Sequence, residues 1–132
     1  MSNSHIIQKL ESSNSRLFKE EVLLKEMDCK NDIFFEGLRL AFNKLLTFGV
    51  KQIPESQEDG IGLEWGNFKE IANKLLKREL TGHAARDKIQ EIMKRAKKNE
   101  WNFFYKRILQ KDMRCGLSEK TVNNVASKNG FE

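Results

Sequence analysis

Apolar residues recur every three or four positions along most of the chain, which is the spacing of one face of an α-helix. The clearest stripe predicts a helix that begins at Asn31 or Asp32, either of which is a suitable N-cap residue. Its apolar face comprises Ile33, Phe34, Gly37, Leu38, Ala41, Phe42, Leu45 and Leu46. Upstream, Ser15 is predicted to begin a weaker helix that carries Leu17, Phe18, Val22, Leu24 and Met27. A short apolar segment precedes it, around Ile6, Ile7 and Leu10.

Residues 47–64 interrupt the helical pattern. They hold the only proline of the chain, Pro54, and three glycines at positions 49, 60 and 62. Because proline and glycine punctuate helices and strands, this stretch is predicted to be a long loop. Three apolar residues within it are expected to anchor it to the core: Phe48, Val50 and Ile53.

The second half of the chain predicts four further helices. The first carries Trp65, Phe68, Ile71, Ala72, Leu75 and Leu76, and it is expected to end near residues 80–82. Thr81 then offers a capping hydroxyl to a helix striped by Ala85, Ile89, Ile92, Met93 and Ala96. The next helix carries Trp101, Phe104, Tyr105, Ile108 and Leu109. After a turn at 114–118, a short last helix bears Val122 and Val125. Since no segment alternates with period two, the predicted fold is all-α: a compact single-domain bundle of six or seven helices over residues 1–132, with the apolar stripes forming its core.

Length and composition fit one soluble globular domain. The chain has 132 residues, of which 39% are hydrophobic and 33% charged. No apolar run approaches the roughly 20 residues of a membrane span, and the first residues lack the apolar stretch of a secretory signal peptide. A cytoplasmic protein is therefore expected. In a reducing compartment Cys29 and Cys115 are expected to remain free thiols.

The positive charge is concentrated in the second half of the chain. Residues 1–35 carry a net charge of −1 and residues 36–64 a net charge of −2, whereas residues 65–132 carry +8. This asymmetry separates a less basic half, 1–64, from a basic half, 65–132, and favours a polyanionic partner for the latter. The alternative is the solvated, lysine-rich surface common on helical proteins.

Motifs for catalysis or cofactor binding are absent from the sequence. There is no phosphate loop, no dinucleotide-binding glycine motif, no nucleophile elbow and no zinc-protease motif. The two cysteines and two histidines all lie more than four positions apart, so no zinc-ligand spacing exists. We therefore expect no enzyme activity in this chain alone, no cofactor and no metal ion.

Two helix starts in the basic half have the residues of a phosphate-binding site. The first spans 77–88 and contains Thr81, Gly82 and Arg86; the second spans 111–121 and contains Gly116 and Lys120. Free N–H groups at a helix N-terminus can face an anion, and a glycine lets a phosphate approach the backbone. Ser118 and Thr121 add two hydroxyl donors at the second start. Ordinary helix capping is the alternative interpretation of each.

Two stretches of the basic half resemble a known family: residues 78–87, RELTGHAARD, and residues 104–122, FYKRILQKDMRCGLSEKTV. They are similar to the N-terminal DNA-binding domain of ATP-dependent DNA ligases, and most similar to the phage ligases of the T-even type. Residues 113–122 also resemble a conserved segment of archaeal and eukaryotic ligases. The first half, through residues 42–54, matches more loosely but in the same order.

The resemblance implies an all-helical domain that grips the minor groove around a nick, chiefly by backbone contacts, in DNA replication and repair. Carried over by position, the implied DNA-binding residues are Thr81, Gly82, His83, Arg86, Arg114, Gly116, Leu117, Ser118 and Lys120. The T-even-type domain is also implicated in contact with the replication sliding clamp. The sequence departs from the family in lacking a lysine-x-aspartate-glycine adenylation motif: Asp59-Gly60 is preceded at that spacing by Gln57. No nick sealing is therefore expected, whether the chain is an excised ligase domain or a free-standing relative.

The predicted function is sequence-independent binding of duplex or nicked DNA. The alternative is a non-enzymatic adaptor that binds a replication or transcription protein, such as a sliding clamp or a polymerase. For that alternative, the loop residues Phe48, Val50 and Ile53 would supply the docking surface.

Overall fold

Seven helices account for the regular structure of residues 3–50 and 52–128, the part of the chain described by a computed structural model, and this part contains no β-strand. The helices are α1 (Asn3–Glu11), α2 (Arg16–Asp28), α3 (Asp32–Phe42), α4 (Trp65–Leu76), α5 (Gly82–Arg95), α6 (98–110) and α7 (Glu119–Lys128). Helix α6 has a π-helical segment, Trp101–Tyr105, between two α-helical ones, Lys98–Glu100 and Lys106–Gln110. The all-α fold is thus confirmed.

Two of the predicted N-caps are present. The Ser15 hydroxyl accepts a hydrogen bond from the Phe18 N–H at 3.3 Å, and so caps α2. Asn31, not Asp32, caps α3, because its side-chain oxygen accepts from the Phe34 N–H at 3.2 Å. Each bond satisfies a first-turn N–H group that has no partner within its own helix.

Three helices are terminated by a basic residue in the left-handed conformation. Lys30, Arg78 and Lys111 have φ values of 55°, 62° and 59° at the ends of α2, α4 and α6. In each case this residue and the next donate their N–H groups back to carbonyls of the last turn. A cation at this position also interacts favourably with the negative end of the helix dipole.

Helix α6 lies at the centre of the core, packed against α1 and α3. Trp101, Phe104 and Ile108 are completely buried, and the ring of Phe104 stacks on that of Phe34 with centroids 6.5 Å apart. Gly37 of α3 permits this approach, because a Cβ there would lie 2.7 Å from the Phe104 ring. Most of the apolar residues predicted for the core form it.

Residues 43–50 and 52–64 are loop segments, bound to α6 by hydrogen bonds. The Trp101 indole donates to the Pro54 carbonyl at 2.8 Å, and the Tyr105 hydroxyl donates to the Leu63 carbonyl at 2.9 Å. The Asn102 side chain accepts from the Ser56 N–H and donates to the Ser56 carbonyl, at 2.7 and 3.0 Å. The predicted loop and its anchoring are confirmed.

The sequence placed the end of α3 too late. The helix ends at Phe42, so Leu45 is 92% exposed instead of belonging to the apolar face, and Ile33 at the other end is 40% exposed. The cause is Lys111, whose ammonium donates to the Leu40 and Asn43 carbonyls at 2.9 and 2.7 Å. On α2, Leu17 is likewise 72% exposed and does not join the core.

Candidate nucleic-acid interface

The start of α5 presents an open, exposed backbone. Thr81 is extended, and Gly82 follows with a φ of +57°, a conformation that favours glycine. A Cβ on Gly82 would meet no atom within 4 Å, so the backbone here is accessible from outside. The N–H groups of Gly82, His83 and Ala84 have no acceptor within the described part of the chain. The Thr81 hydroxyl, predicted to cap the helix, makes no capping hydrogen bond, which corrects that expectation.

One predicted cation at this start is available to a ligand, and a neighbouring one is not. Arg86 is exposed and forms no ion pair within the described residues. Arg78 instead donates to the Thr47 carbonyl at 2.9 Å, the Thr47 hydroxyl at 2.8 Å and the Leu75 carbonyl at 2.9 Å. Arg78 therefore joins the long loop to the end of α4, although it opens the stretch that resembles DNA-binding domains.

The start of α7 follows a tight turn with two left-handed residues. Arg114 has a φ of 52° and Gly116 a φ of 69°. The Ser118 hydroxyl accepts from the Thr121 N–H at 3.2 Å and shares a second hydrogen bond with the Thr121 hydroxyl at 3.0 Å. Because one of the two hydroxyl protons is used in that bond, a ligand would find one free hydroxyl donor here and not the two expected.

The cations around this second start also divide into two groups. Lys120 is exposed without an ion pair in the described part, and Arg114 is exposed with its guanidinium 3.9 Å from the Asp112 carboxylate. Lys111 instead points inward to the end of α3, and burial lowers the pKa of its ammonium. Arg114 and Lys120 are therefore the cations that can face a ligand, whereas Lys111 stabilises the fold.

Leu117 differs from the other predicted contacts. Its side chain is half-buried and packs against the core. The Cys115 thiol nearby has a raised pKa, because burial outweighs the lowering effect of the Leu117 backbone and of the Lys19 and Arg107 cations. The Leu117 side chain therefore holds the turn and is not exposed to a ligand as the other eight residues are.

Eight of the nine predicted DNA-binding residues are exposed, and Leu117 is the exception. The structure does not join the two helix starts directly. Helix α5 packs on α4 and α7 packs on α2, and among the described residues no hydrogen bond or ion pair connects the two. They are separate exposed elements that an extended ligand would have to bridge.

The surface suggested for an adaptor is not exposed. Phe48 and Ile53 are only 3% and 8% exposed, and Val50 packs against the core. The sequence pattern that anchors the loop therefore removes these residues from contact with a partner. A groove of 760 Å³ lies elsewhere, between α2, α3 and α7, with Phe35, Phe42 and Val122 among its lining residues.

Other site types find little support within residues 3–50 and 52–128. No cluster of three or more histidine, cysteine, aspartate or glutamate side chains could hold a metal ion there. Cys29 is exposed and Cys115 buried, and both are free, as the sequence predicted. No helix in this part is long and apolar enough to cross a membrane.

No protein-family model matches the sequence, and no curated protein matches it. Solved structures do match, among them "Pmar-Lig_Pre." and "Pmar-Lig_PreS3", each with 50% sequence identity. Their TM-scores are 0.94 and 0.95, and the matches cover 97% and 98% of this chain but 30% of each of theirs. Nearly the whole chain is therefore similar in sequence and fold to less than a third of a protein whose name marks it as a ligase.

Proposed function

We propose that this chain is the DNA-binding part of an ATP-dependent DNA ligase, or a free-standing relative of that part, and that it holds duplex or nicked DNA without reading its sequence. The observation that carries the proposal is the 50% identity, over 97% of the chain, to a segment of Pmar-Lig_Pre.. The family resemblance of residues 78–87 and 104–122 supports the same assignment. The particular similarity to phage ligases of the T-even type stays a prediction.

The two helix starts are suited to the phosphate backbone. At α5, the free N–H groups of Gly82 and His83 can donate to phosphate oxygens, with Arg86 supplying charge. At α7, Arg114 and Lys120 supply charge beside the N-terminus of the helix. Contacts of this kind position a protein on DNA but carry no base information, so binding would be sequence-independent.

Catalysis is not part of the proposal. The aspartate-glycine pair of the chain has a structural role, since the Asp59 carboxylate accepts from the Lys98 N–H at 2.8 Å and the Gly60 N–H donates to the Ala96 carbonyl at 2.9 Å. Gln57 stands where an adenylated lysine would be needed. With labelled ATP and magnesium, we expect no covalent lysyl-adenylate by gel autoradiography; a labelled band would contradict this.

The proposal is tested by the salt dependence of binding to a nicked duplex. If about four to six phosphates are neutralised, a plot of log affinity against log salt has a slope of about −3.5 to −5.5. Arg86→Ala, Arg114→Ala and Lys120→Ala should each weaken binding to all sequences alike and flatten the slope by about one unit.

The matched control is Lys25→Ala, which removes an exposed cation from the less basic half and should leave the slope unchanged. Equal losses at Lys25 and Arg114 would indicate diffuse charge attraction in place of a defined site. Absence of any binding at low salt would overturn the proposal and favour the adaptor that contacts a sliding clamp or polymerase.

A further inference from the structure

Lys19 on α2 is buried to an extent that is unusual for a lysine. Only 8% of its surface is exposed, whereas lysines are almost never buried unless their charge is paired. Within the described residues its ammonium has neither a hydrogen-bond acceptor nor an ion-pair partner. In this part of the chain, every side-chain nitrogen that is fully enclosed has a hydrogen-bond partner. Because the Lys19 ammonium has no partner there, it is not fully enclosed, and its tip remains in contact with solvent. The stem is therefore buried and the charge is held at an opening of the surface.

That opening is the turn before α7. The Lys19 ammonium occupies the place where a Cβ on Gly116 would stand, and the Lys19 Cε lies 3.5 Å from the same point. Gly116 precedes Ser118, the capping residue of α7, by two positions. The packing of α2 against α7 thus directs a cation from the less basic half onto the second helix start.

Of the acidic residues around this turn, Glu11 and Asp112 are engaged with other groups, whereas Glu119, in the first turn of α7, is exposed and forms no ion pair among the described residues. Glu11 forms a salt bridge with Arg107, whose guanidinium also donates to the Met113 carbonyl at 2.9 Å. Asp112 accepts the Arg114 N–H at 3.1 Å. No carboxylate of the described residues forms an ion pair with Lys19, and its charge lies beside a helix N-terminus, which is also positive in its electrostatic effect. Two like charges held together in this way favour an anion between them.

We propose that Lys19 is a phosphate-binding residue of the α7 start, donating to a phosphate oxygen of the DNA backbone that lies against Gly116. This inference rests on the proposed function and adds to it a contact from residues 1–64, the half whose net negative charge gave no reason to expect one. The buried stem holds the ammonium in place before DNA arrives. Little side-chain entropy is then lost on binding, unlike the case of an exposed lysine.

The test compares Lys19→Met with Lys25→Met in the full chain. Methionine retains most of the unbranched stem and removes the charge, and Lys25 is an exposed lysine on the same helix. For a nicked duplex, we expect Lys19→Met to weaken binding by on the order of tenfold and to flatten the salt slope by about one unit. Lys25→Met should leave both quantities at the wild-type value.

The outcomes separate this inference from the proposed function. If the wild-type chain fails to bind nicked duplex at low salt, the proposed function fails. If the wild type binds and Lys120→Ala flattens the slope, but Lys19→Met binds as the wild type does, the Lys19 assignment is overturned.

A measurement on the wild-type chain keeps the test independent of how well the variant folds. The ¹³Cε resonance of Lys19 should shift when nicked duplex is added to lysine-labelled protein, whereas that of Lys25 should not. An unmoved Lys19 resonance at saturating DNA would contradict the assignment.

Discussion

Two glycines, Gly116 and Gly66, should respond in opposite directions to the same substitution. Gly116 has a φ of +69°, and Gly116→Ala would also push its Cβ against the Lys19 ammonium. We expect the free energy of unfolding to fall by about 1–2 kcal/mol. Gly66 lies in α4 without positive φ and with no atom near its Cβ position, so Gly66→Ala should raise it by about 0.4–1 kcal/mol. Urea denaturation of both variants measures the contrast; a loss at both positions would contradict it.

Tyr105 should make the stability of the protein depend on alkaline pH. Desolvation by burial, together with the charge of Glu100, raises the pKa of this tyrosine to about 12. The folded state therefore keeps the phenol protonated where the unfolded chain, with a pKa near 10, releases the proton. This contribution is complete below pH 10 and is lost as the pH rises from 10 towards 12, by about 1.4 kcal/mol per unit.

The measurement for Tyr105 is direct because the chain has a single tyrosine. Absorbance at the phenolate band should titrate near pH 12 in the native protein and near pH 10 in urea. Tyr105→Phe serves as the control and should remove this part of the alkaline destabilisation. A native midpoint near 10 would contradict the burial of the hydroxyl.

Sequence reasoning at the residue scale identified exposed cations but could not separate those that stay free for a ligand from those that are bound into the fold. Arg86 and Arg78 lie eight positions apart in the same basic stretch, and nothing local distinguishes them. What distinguishes them is Thr47, which is 31 residues away from Arg78 in sequence. Lys111 likewise depends on carbonyls 71 and 68 residues away. Lys19 was missed for the same reason, since its position against Gly116 depends on the packing of α2 on α7.

At the scale of elements, Arg78 joins the long loop to α4 and should be separable from DNA binding. Arg78→Ala removes three hydrogen bonds to Thr47 and Leu75 and should lower the free energy of unfolding by about 1–2 kcal/mol. The salt slope for nicked duplex should stay at the wild-type value. Arg86→Ala should leave the free energy of unfolding unchanged and flatten the salt slope, since it removes a free cation. Thermal melting and a salt titration on both variants measure the two effects. A flattened slope for Arg78→Ala or a lowered stability for Arg86→Ala would contradict the separation.

The helices were predictable in number and order, and their boundaries less so. Asn31 and Ser15 act as N-caps because a local side chain satisfies a local N–H, and such signals are visible in sequence. The end of α3 is set by Lys111, from the far end of α6, so the apolar stripe alone extends the helix to Leu46. The π-helical segment Trp101–Tyr105 could not be predicted from the spacing of apolar residues. Over a few residues, an α-helical and a π-helical turn place apolar side chains at the same spacing.

For the whole molecule, one continuous core predicts one cooperative unfolding transition. The buried apolar residues form a single cluster, to which the inward face of every helix contributes. Trp101 lies in this cluster and Trp65 packs against it, and each contacts the ring of Tyr105. Tryptophan fluorescence and far-ultraviolet circular dichroism should therefore report the same urea midpoint. Two separated midpoints would indicate that the halves 1–64 and 65–132 fold as separate units.

The all-α fold class could be predicted from the helical spacing of apolar residues, because each apolar stripe must be buried against another helix. With short connections between the helices, a bundle is the arrangement that buries all the stripes. The division of charge between the halves misled in one respect. Charge counted along the sequence assigns Lys19 to the less basic half, whereas contact assigns its ammonium to the α7 start. The net charge of a sequence segment predicts the charge of the partner that a surface binds only when all residues of that surface come from that segment.

The unequal burial of the two cysteines makes the protein suitable for fluorescence labelling without mutagenesis. Cys29 is exposed at the end of α2, whereas Cys115 is buried with a raised thiol pKa. A maleimide reacts with accessible thiolate, so one dye per molecule should attach at Cys29 under native conditions. That dye would sit at the end of the helix that carries Lys19, and its anisotropy would report complex formation with DNA while leaving the Cys115 turn unmodified.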